Sequence, residues 1–171
     1  MSVDKSRVYL ATVFFGFVSA LQPKTYASDS GYVAPMIEIP KSGSQAAFRL
    51  ADYRGRVVLV DFWASWCGPC LQALPRYEAL WQELHASGFE VIGIDVDQHP
   101  RDGENVLGKL HLSYPQVADP QGRLAELYGV NGMPSSYLID RKGQVRQVHV
   151  GFDKNDIEPL RKVVAQLVEE K

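Results

Sequence analysis

Residues 57–63 restrict the fold more than any other segment, because they are apolar at both alternating positions of a strand. The segment reads VVLVDFW, and Asp61 is its single polar residue. Successive side chains of a strand point to opposite faces, so this strand must be covered on both sides. Such strands are typical of the central, parallel part of a sheet that has helices packed around it. The segment therefore predicts an α/β fold.

The pattern around this strand alternates between strand and helix. Apolar residues recur at helical spacing from residue 68 to residue 86, with Pro75 inside the helix. We predict further strands over 36–39, 47–50, 89–96, 115–118, 136–140 and 145–150, and further helices over 102–112, 124–128 and 156–169. The last two strands form a hairpin, and Asn155 with Glu158 is the predicted capping box of the last helix. This order predicts a central sheet that mixes parallel strands with an antiparallel edge.

The N-terminal residues are predicted to be a targeting segment rather than part of the fold. A largely apolar, uncharged run over 8–21 follows two basic residues. That run is shorter than the roughly 17–25 residues that a membrane span needs, and its small-residue exit is typical of a secretory signal peptide. We predict a signal peptide over 1–27, a lead-in over 28–35 and one domain over 36–171. An uncleaved N-terminal anchor is the alternative, and both interpretations export the remainder.

Charge and composition exclude two classes of protein. The formal net charge is −2 and no basic stripe is present, so nucleic-acid binding is not expected. Two cysteines are too few for a four-cysteine zinc site, and the four histidines lie at spacings that match no metal-ligand pattern. Hydrophobic residues make up 46% of the chain, which is ordinary for a globular domain with a real core.

The two cysteines, Cys67 and Cys70, lie where the central strand gives way to the following helix. A helix N-terminus carries partial positive charge and unpaired N–H groups, which stabilise a thiolate on the first cysteine. The second cysteine lies one turn inside the helix, where it is shielded but can still reach the first sulfur. The pattern therefore predicts a redox pair in which an exposed Cys67 attacks a substrate disulfide and Cys70 resolves the product.

Three other uses of this cysteine pair are weaker. A structural disulfide around so short a loop would gain only about 2 kcal/mol on the chain-entropy estimate. A zinc site would need a second cysteine pair, which the chain lacks. Copper binding remains an alternative, because thiolates suit Cu(I).

The residues around the pair resemble the active-site segment of thioredoxins. The matching segment is VDFWASWCGPC over 60–70, and Pro75 falls at the position of the proline in that family's kinked helix. The chain is also similar to the TlpA/ResA/DsbE-like branch of exported thiol-disulfide oxidoreductases in its predicted signal peptide, its run over 48–58 and its long segment over 101–129. The resemblance covers about residues 35–170. It implies a thioredoxin fold, a central mixed sheet flanked by helices, with extra N-terminal strands and an inserted helix and strand.

The resemblance also implies where a substrate binds. Pro134 matches the family's cis-proline, which packs against the cysteine sulfurs and turns the Met133 backbone toward an extended substrate. Without the resemblance, an ordinary loop proline would be the simpler interpretation. The implied substrate-binding residues are Trp66, Gly68, Pro69, Met133 and Pro134.

Asp61 matches the buried aspartate of thioredoxins, which is credited with helping to deprotonate the resolving cysteine. Burial should raise its pKa toward neutrality, where the carboxyl can carry a proton; a purely structural acid is the alternative. The chain departs from the family at two positions. Gly93 stands where thioredoxins carry a lysine near that aspartate, and Ala73 stands where ResA-type proteins carry the glutamate linked to their apocytochrome role.

The sequence therefore predicts a periplasmic, monomeric thiol-disulfide oxidoreductase that reduces protein disulfides, in cytochrome c maturation or thiol homeostasis. It should need no cofactor and no metal. Its expected partners are disulfide-bearing client proteins and a membrane electron donor of the DsbD/CcdA type, since no second cysteine pair is present to recharge it. The alternatives are a copper-binding chaperone module and a thiol peroxidase-like redoxin; the usual threonine of the latter is replaced by Ala64.

Overall fold

A computed structural model describes residues 31–39 and 47–170 of the chain. The strands are β1 (Tyr32–Val33), β2 (Glu38–Ile39), β3 (Phe48–Arg49), β4 (Val57–Trp63), β5 (Phe89–Asp95), β6 (Gln116–Ala118), β7 (Ser135–Ile139) and β8 (Gln144–Val150). The helices are α1 (Gly68–Leu84), α2 (Pro100–Leu110), α3 (Arg123–Leu127) and α4 (Ile157–Glu169). Three short 3₁₀ helices lie at Leu50–Tyr53, His85–Ser87 and Lys154–Asp156.

Six of the strands form one mixed sheet in the order β1-β8-β7-β4-β5-β6. β4 pairs with β5 and β5 with β6 in parallel, whereas β7 pairs antiparallel with both β4 and β8. β2 and β3 form a separate two-stranded sheet. The α/β class and the β7–β8 hairpin are confirmed. The prediction of an antiparallel edge is too narrow, because β7, β8 and β1 are all joined by antiparallel pairing and make up half of the six-stranded sheet.

Burial of β4 on both faces is also confirmed, since all seven of its residues are buried. Leu59 and Trp63 pack with the apolar faces of α1 and α4 in one core cluster. Val60 and Phe62 belong to a second cluster on the opposite face, with residues of the N-terminal segment and α3. The apolar residues at both alternating positions of β4 are therefore explained by its location between two core clusters.

The structure departs from the sequence pattern at two places. The predicted lead-in over 28–35 contains β1, whose two residues pair with Val145 and Gln144 of β8. Both β1 side chains are exposed, so this strand is held by backbone pairing. Its two residues are too few to show an alternating pattern. The capping box predicted at Asn155 and Glu158 is wrong. The helical turn begins two residues earlier, and Asp153 caps it by accepting a hydrogen bond from the Asn155 N–H at 2.9 Å.

The predicted signal peptide or anchor lies outside the described residues. Within 31–39 and 47–170, no helix combines the length and the apolar character needed to cross a membrane.

The hydrogen bonds of Asp119 to the start of α3 can be tested by mutation. Its buried carboxylate accepts hydrogen bonds from the N–H groups of Arg123, Leu124 and Ala125 at 2.9 to 3.1 Å, which caps α3. Asp119→Ala should therefore lower the free energy of unfolding by about 1–3 kcal/mol, because it removes the cap and leaves three partly buried N–H groups without this partner.

Urea unfolding measures this loss. Glu104→Ala, at an exposed position of α2, is the matched control and should change stability by less than about 0.5 kcal/mol. Equal losses in the two variants would show that Asp119 does not hold α3 in place.

Candidate active site

The two cysteines lie at the start of α1, directly after the carboxyl end of β4. Cys67 is the N-cap residue, with extended backbone angles, and Pro69 occupies the first turn. The Cys67 Sγ accepts a hydrogen bond from the Cys70 N–H at 3.2 Å, and the two residues are joined by a disulfide with a Cα–Cα distance of 5.2 Å. The strand-to-helix placement of the pair is therefore confirmed, and the first sulfur lies at the positive end of the helix.

Exposure around the pair differs from the expectation in one respect. Cys67 is only 5% exposed in the disulfide form, whereas Cys70 is completely buried, so the prediction of an exposed Cys67 is wrong for the oxidised protein. Trp66 is 69% exposed, and Gly68 and Pro69 are also exposed. The disulfide lies beneath a rim of exposed residues, and Cys67 alone retains a path to solvent.

A pair of buried acids supports the loop that precedes Cys67. The Asp97 carboxylate accepts hydrogen bonds from the Ser65 N–H at 2.8 Å and the Ser65 hydroxyl at 3.0 Å. The Asp97 N–H in turn donates to the Asp95 carboxylate at 2.9 Å. Burial raises the pKa of Asp95 to about 7, and the nearby Asp97 carboxylate adds to the rise. Asp95 and Asp97 are not among the predicted site residues, although two acids directly at the end of an apolar strand are a visible signal.

The Met133–Pro134 peptide bond is cis, as the resemblance implies. Pro134 is buried, and its carbonyl accepts a hydrogen bond from the Gly151 N–H at 2.8 Å. Met133 is half-buried. It packs against the same core cluster to which the two cysteines belong.

Asp61 is completely buried in β4, on the face that carries Leu59 and Trp63. Burial raises its pKa well above the ordinary range, and the Ser136 hydroxyl on the neighbouring strand opposes part of that rise. Within the described part of the chain, neither carboxyl oxygen has a hydrogen-bond partner of ordinary geometry. Ionising this carboxyl is therefore unfavourable, and the carboxyl keeps its proton to a higher pH than an exposed aspartic acid does.

Gly93 lies directly beside Asp61 in the parallel β4–β5 register, where the resemblance would place a lysine. The Gln116 side chain from β6 covers this glycine. A Cβ atom added to Gly93 would come within 2.2 Å of the Gln116 Oε1, and that oxygen accepts a hydrogen bond from the Trp63 indole at 3.0 Å. An uncharged amide therefore takes the place that a lysine side chain would need.

Ala73 is completely buried in α1 and belongs to the core cluster around the cysteines. This position supplies no carboxylate to the site. Among residues 31–39 and 47–170, no group of three or more His, Cys, Asp or Glu side chains is arranged to hold a metal ion.

Comparisons with known proteins agree with this geometry. A family model described as the AhpC/TSA family matches residues 30–148. The thiol-disulfide oxidoreductase ResA of Geobacillus kaustophilus is 34% identical over 111 residues, which cover 64% of this chain and 64% of that protein. The thiol:disulfide interchange protein HelX of Rhodobacter capsulatus is 32% identical over 118 residues, which cover 68% of this chain and 65% of that protein. The chain thus spans just under two thirds of these curated relatives.

A solved structure shows the same fold. A protein of Chlorobium tepidum described as a thiol:disulfide interchange protein DsbE is similar with a TM-score of 0.77 and 38% sequence identity. The match covers 83% of this chain and 99% of that chain. The central mixed sheet with its flanking helices is therefore a thioredoxin fold, as the sequence predicts.

The raised pKa of Asp61 predicts how the stability of the protein depends on pH. The pKa of this carboxyl is ordinary in the unfolded chain and raised in the folded protein, so the folded protein holds the extra proton between those two values. Wild-type stability should therefore fall as pH rises through this window and level off above it. Asp61→Asn removes that fall, so the variant should be the more stable protein at neutral and alkaline pH and nearly equal to wild type in acid.

The difference between the urea unfolding curves of the two proteins at several pH values measures this effect. Glu104→Gln, at an exposed position, is the control and should run parallel to wild type. A parallel curve for Asp61→Asn as well would contradict the raised pKa.

Proposed function

Because this chain belongs to the AhpC/TSA family, within the TlpA/ResA/DsbE-like part of the thioredoxin superfamily, we propose that it is a thiol-disulfide oxidoreductase that reduces protein disulfides. The observation that carries the proposal is the cysteine pair at the N-terminus of α1. Cys67 caps the helix, and its sulfur already accepts a hydrogen bond from the Cys70 N–H. The same N–H and the helix dipole would stabilise negative charge on that sulfur in the reduced protein.

The reaction follows from this arrangement. The Cys67 thiolate attacks one sulfur of a client disulfide, forms a mixed disulfide and releases the client's other sulfur as a thiolate, which takes a proton from water. Cys70 then loses its proton to Asp61 and attacks the Cys67 sulfur. The second client thiolate leaves and is protonated, and the enzyme holds the Cys67–Cys70 disulfide. Two electrons pass from the enzyme to the client.

The direction of electron flow follows from what surrounds the thiolate. A strong oxidant needs an unusually stabilised thiolate. No histidine or basic residue lies between the cysteines, because Gly68-Pro69 offers no charge or titratable side chain. The stabilisation is limited to the helix end and one N–H group, which favours a reductant.

The client would dock on the exposed rim of the site. Trp66 offers a large exposed aromatic surface next to Cys67, and Gly68 with Pro69 adds an exposed backbone without bulky side chains. On the opposite side, the Met133–Pro134 segment would offer its backbone to an extended client strand. This surface suits a polypeptide rather than a small ligand.

A reductant in an oxidising compartment is spent after one turnover, and the chain has no second cysteine pair to restore it. The proposed protein is therefore exported, acts as a monomer in the periplasm and receives electrons from a membrane donor of the DsbD/CcdA type. The buried Ala73 favours general reduction of protein disulfides over the specialised apocytochrome role.

Peroxide reduction is the weaker alternative. The position three residues before Cys67 is Ala64, a buried residue that offers no hydroxyl to orient a peroxide. The resolving cysteine is also already bonded to Cys67 inside the same helix turn.

Trapping of clients tests the proposal. Cys70→Ser leaves Cys67 able to attack but removes the group that resolves the mixed disulfide, so covalent adducts with client proteins should accumulate. Non-reducing electrophoresis followed by mass spectrometry detects them. Cys67→Ser is the matched control and should yield none. Adducts that form only with Cys67→Ser would reverse the two roles, and the absence of adducts with both variants would refute the proposed function.

A further inference from the structure

The strand register places a row of polar residues across the sheet beside Asp61. Neighbours in register share one face of a sheet, so these side chains lie on the face that α1 and α4 cover. From the β6 side to the β8 side, the row consists of Gln116, Gly93, Asp61, Ser136 and His149. A buried acid therefore has a polar neighbour on each strand between it and the β8 side of the sheet.

Ser136 is the first step of this row beyond Asp61. It is buried in β7, where its strand neighbours Leu138 and Ile139 are core residues. Its hydroxyl lies 3.2 Å from the hydroxyl of Tyr77, which projects from α1. A serine has one donor and two acceptor sites, so this hydroxyl can exchange protons with two partners at once.

His149 is the next step, and it connects the row to solvent. Its Nε2 lies 3.1 Å from the carboxylate of Asp156, at the end of the 3₁₀ turn before α4. The two side chains are 14% and 17% exposed. A groove of about 330 Å³, measured with its solvent-open part, is lined by Tyr77, Ser136, His149 and Asp156 among others. The groove thus runs from the buried hydroxyls to a partly exposed histidine and carboxylate.

We propose that Ser136 and His149 form the proton route between Asp61 and solvent. This inference rests on the proposed function, in which Asp61 receives the proton of Cys70 during resolution. Burial holds a proton on Asp61, so this completely buried carboxyl must release a proton to solvent before it can accept the one from Cys70, and must release one again after resolution. The route returns the proton without opening the core.

The transfer balances at each atom. Protonated Asp61 gives its proton to the Ser136 oxygen, while the Ser136 hydroxyl proton passes to the Tyr77 oxygen, 3.2 Å away. Tyr77 gives its own hydroxyl proton to a water molecule in the groove, and that water gives a proton to the His149 imidazole. His149 releases one proton to water or to Asp156. The serine ends with the same number of protons with which it began, and no oxidant or reductant is needed.

Two other groups near Asp61, Tyr114 and Gln116, are poor routes. Tyr114 interacts electrostatically with Asp61, but burial raises its pKa far above neutrality and its hydroxyl donates to the Leu74 carbonyl at 3.4 Å. Gln116 cannot gain or lose a proton at neutral pH. Tyr77 faces the groove from α1 and Asp156 faces His149 from the turn before α4, so both are part of the same path.

Single-turnover kinetics test the route. Reduced protein is mixed with a disulfide-bonded peptide near pH 7, and the mixed disulfide and products are sampled by acid quench and mass spectrometry. Ser136→Ala and His149→Ala should each slow resolution by roughly tenfold, a part of the usual contribution of a positioned proton carrier. Gln147→Ala, which shortens another side chain lining the groove, is the matched control and should retain the wild-type rate.

Three further readouts separate a proton route from a structural effect. Ser136→Thr keeps the hydroxyl and should keep most of the rate. Free imidazole should restore the rate of His149→Ala but not that of Asp61→Asn. Adding Ser136→Ala to Asp61→Asn should cause no further loss, because both variants break one path.

The route is refuted if Ser136→Ala and His149→Ala keep the wild-type rate, if imidazole restores nothing, or if the losses add in the double variant. These outcomes require an active wild-type protein. A wild-type protein that cannot reduce the peptide at all would instead refute the proposed function itself.

Discussion

The burial of β4 on both faces is the constraint on which the rest of the structure depends. Its alternate residues enter two different core clusters, so helices must cover one face and the N-terminal segment with α3 must cover the other. The carboxyl end of the same strand delivers the chain to the N-terminus of α1, where Cys67 caps the helix. The cysteine pair is therefore positioned by the most deeply packed part of the molecule.

The same burial gives Asp61 its chemistry. A carboxyl in the middle of a strand between two cores is costly to ionise. Gln116, which lies against Gly93, is uncharged and therefore cannot stabilise the ionised carboxylate as a lysine would. The fold accepts this cost next to its redox helix, which is reasonable if the carboxyl exchanges protons during the reaction. Stability and proposed function thus oppose each other at one residue, and the proposed row through Ser136 to His149 would set how fast that residue exchanges its proton.

Local patterns in the sequence were enough to predict β4, α1, the β7–β8 hairpin and the place of the cysteines, because each depends on residues close together in the chain. β1 escaped prediction because backbone pairing holds two exposed residues to β8. The capping box was misplaced by two residues, a typical uncertainty at helix ends. Ser136 and His149 carried no local signal at all. Their relation to Asp61 exists only in the register of three strands, which a single sequence does not reveal.

The reduction potential of the Cys67–Cys70 pair tests the central claim most directly. The oxidised protein is equilibrated with dithiothreitol buffers of known potential, and the fraction of free thiol is determined by alkylation and mass spectrometry. The Gly68-Pro69 dipeptide and the modest stabilisation of the thiolate predict a value close to that of thioredoxin, about −270 mV. A value above about −180 mV, the range of disulfide isomerases and oxidants, would contradict the account of this protein as a reductase.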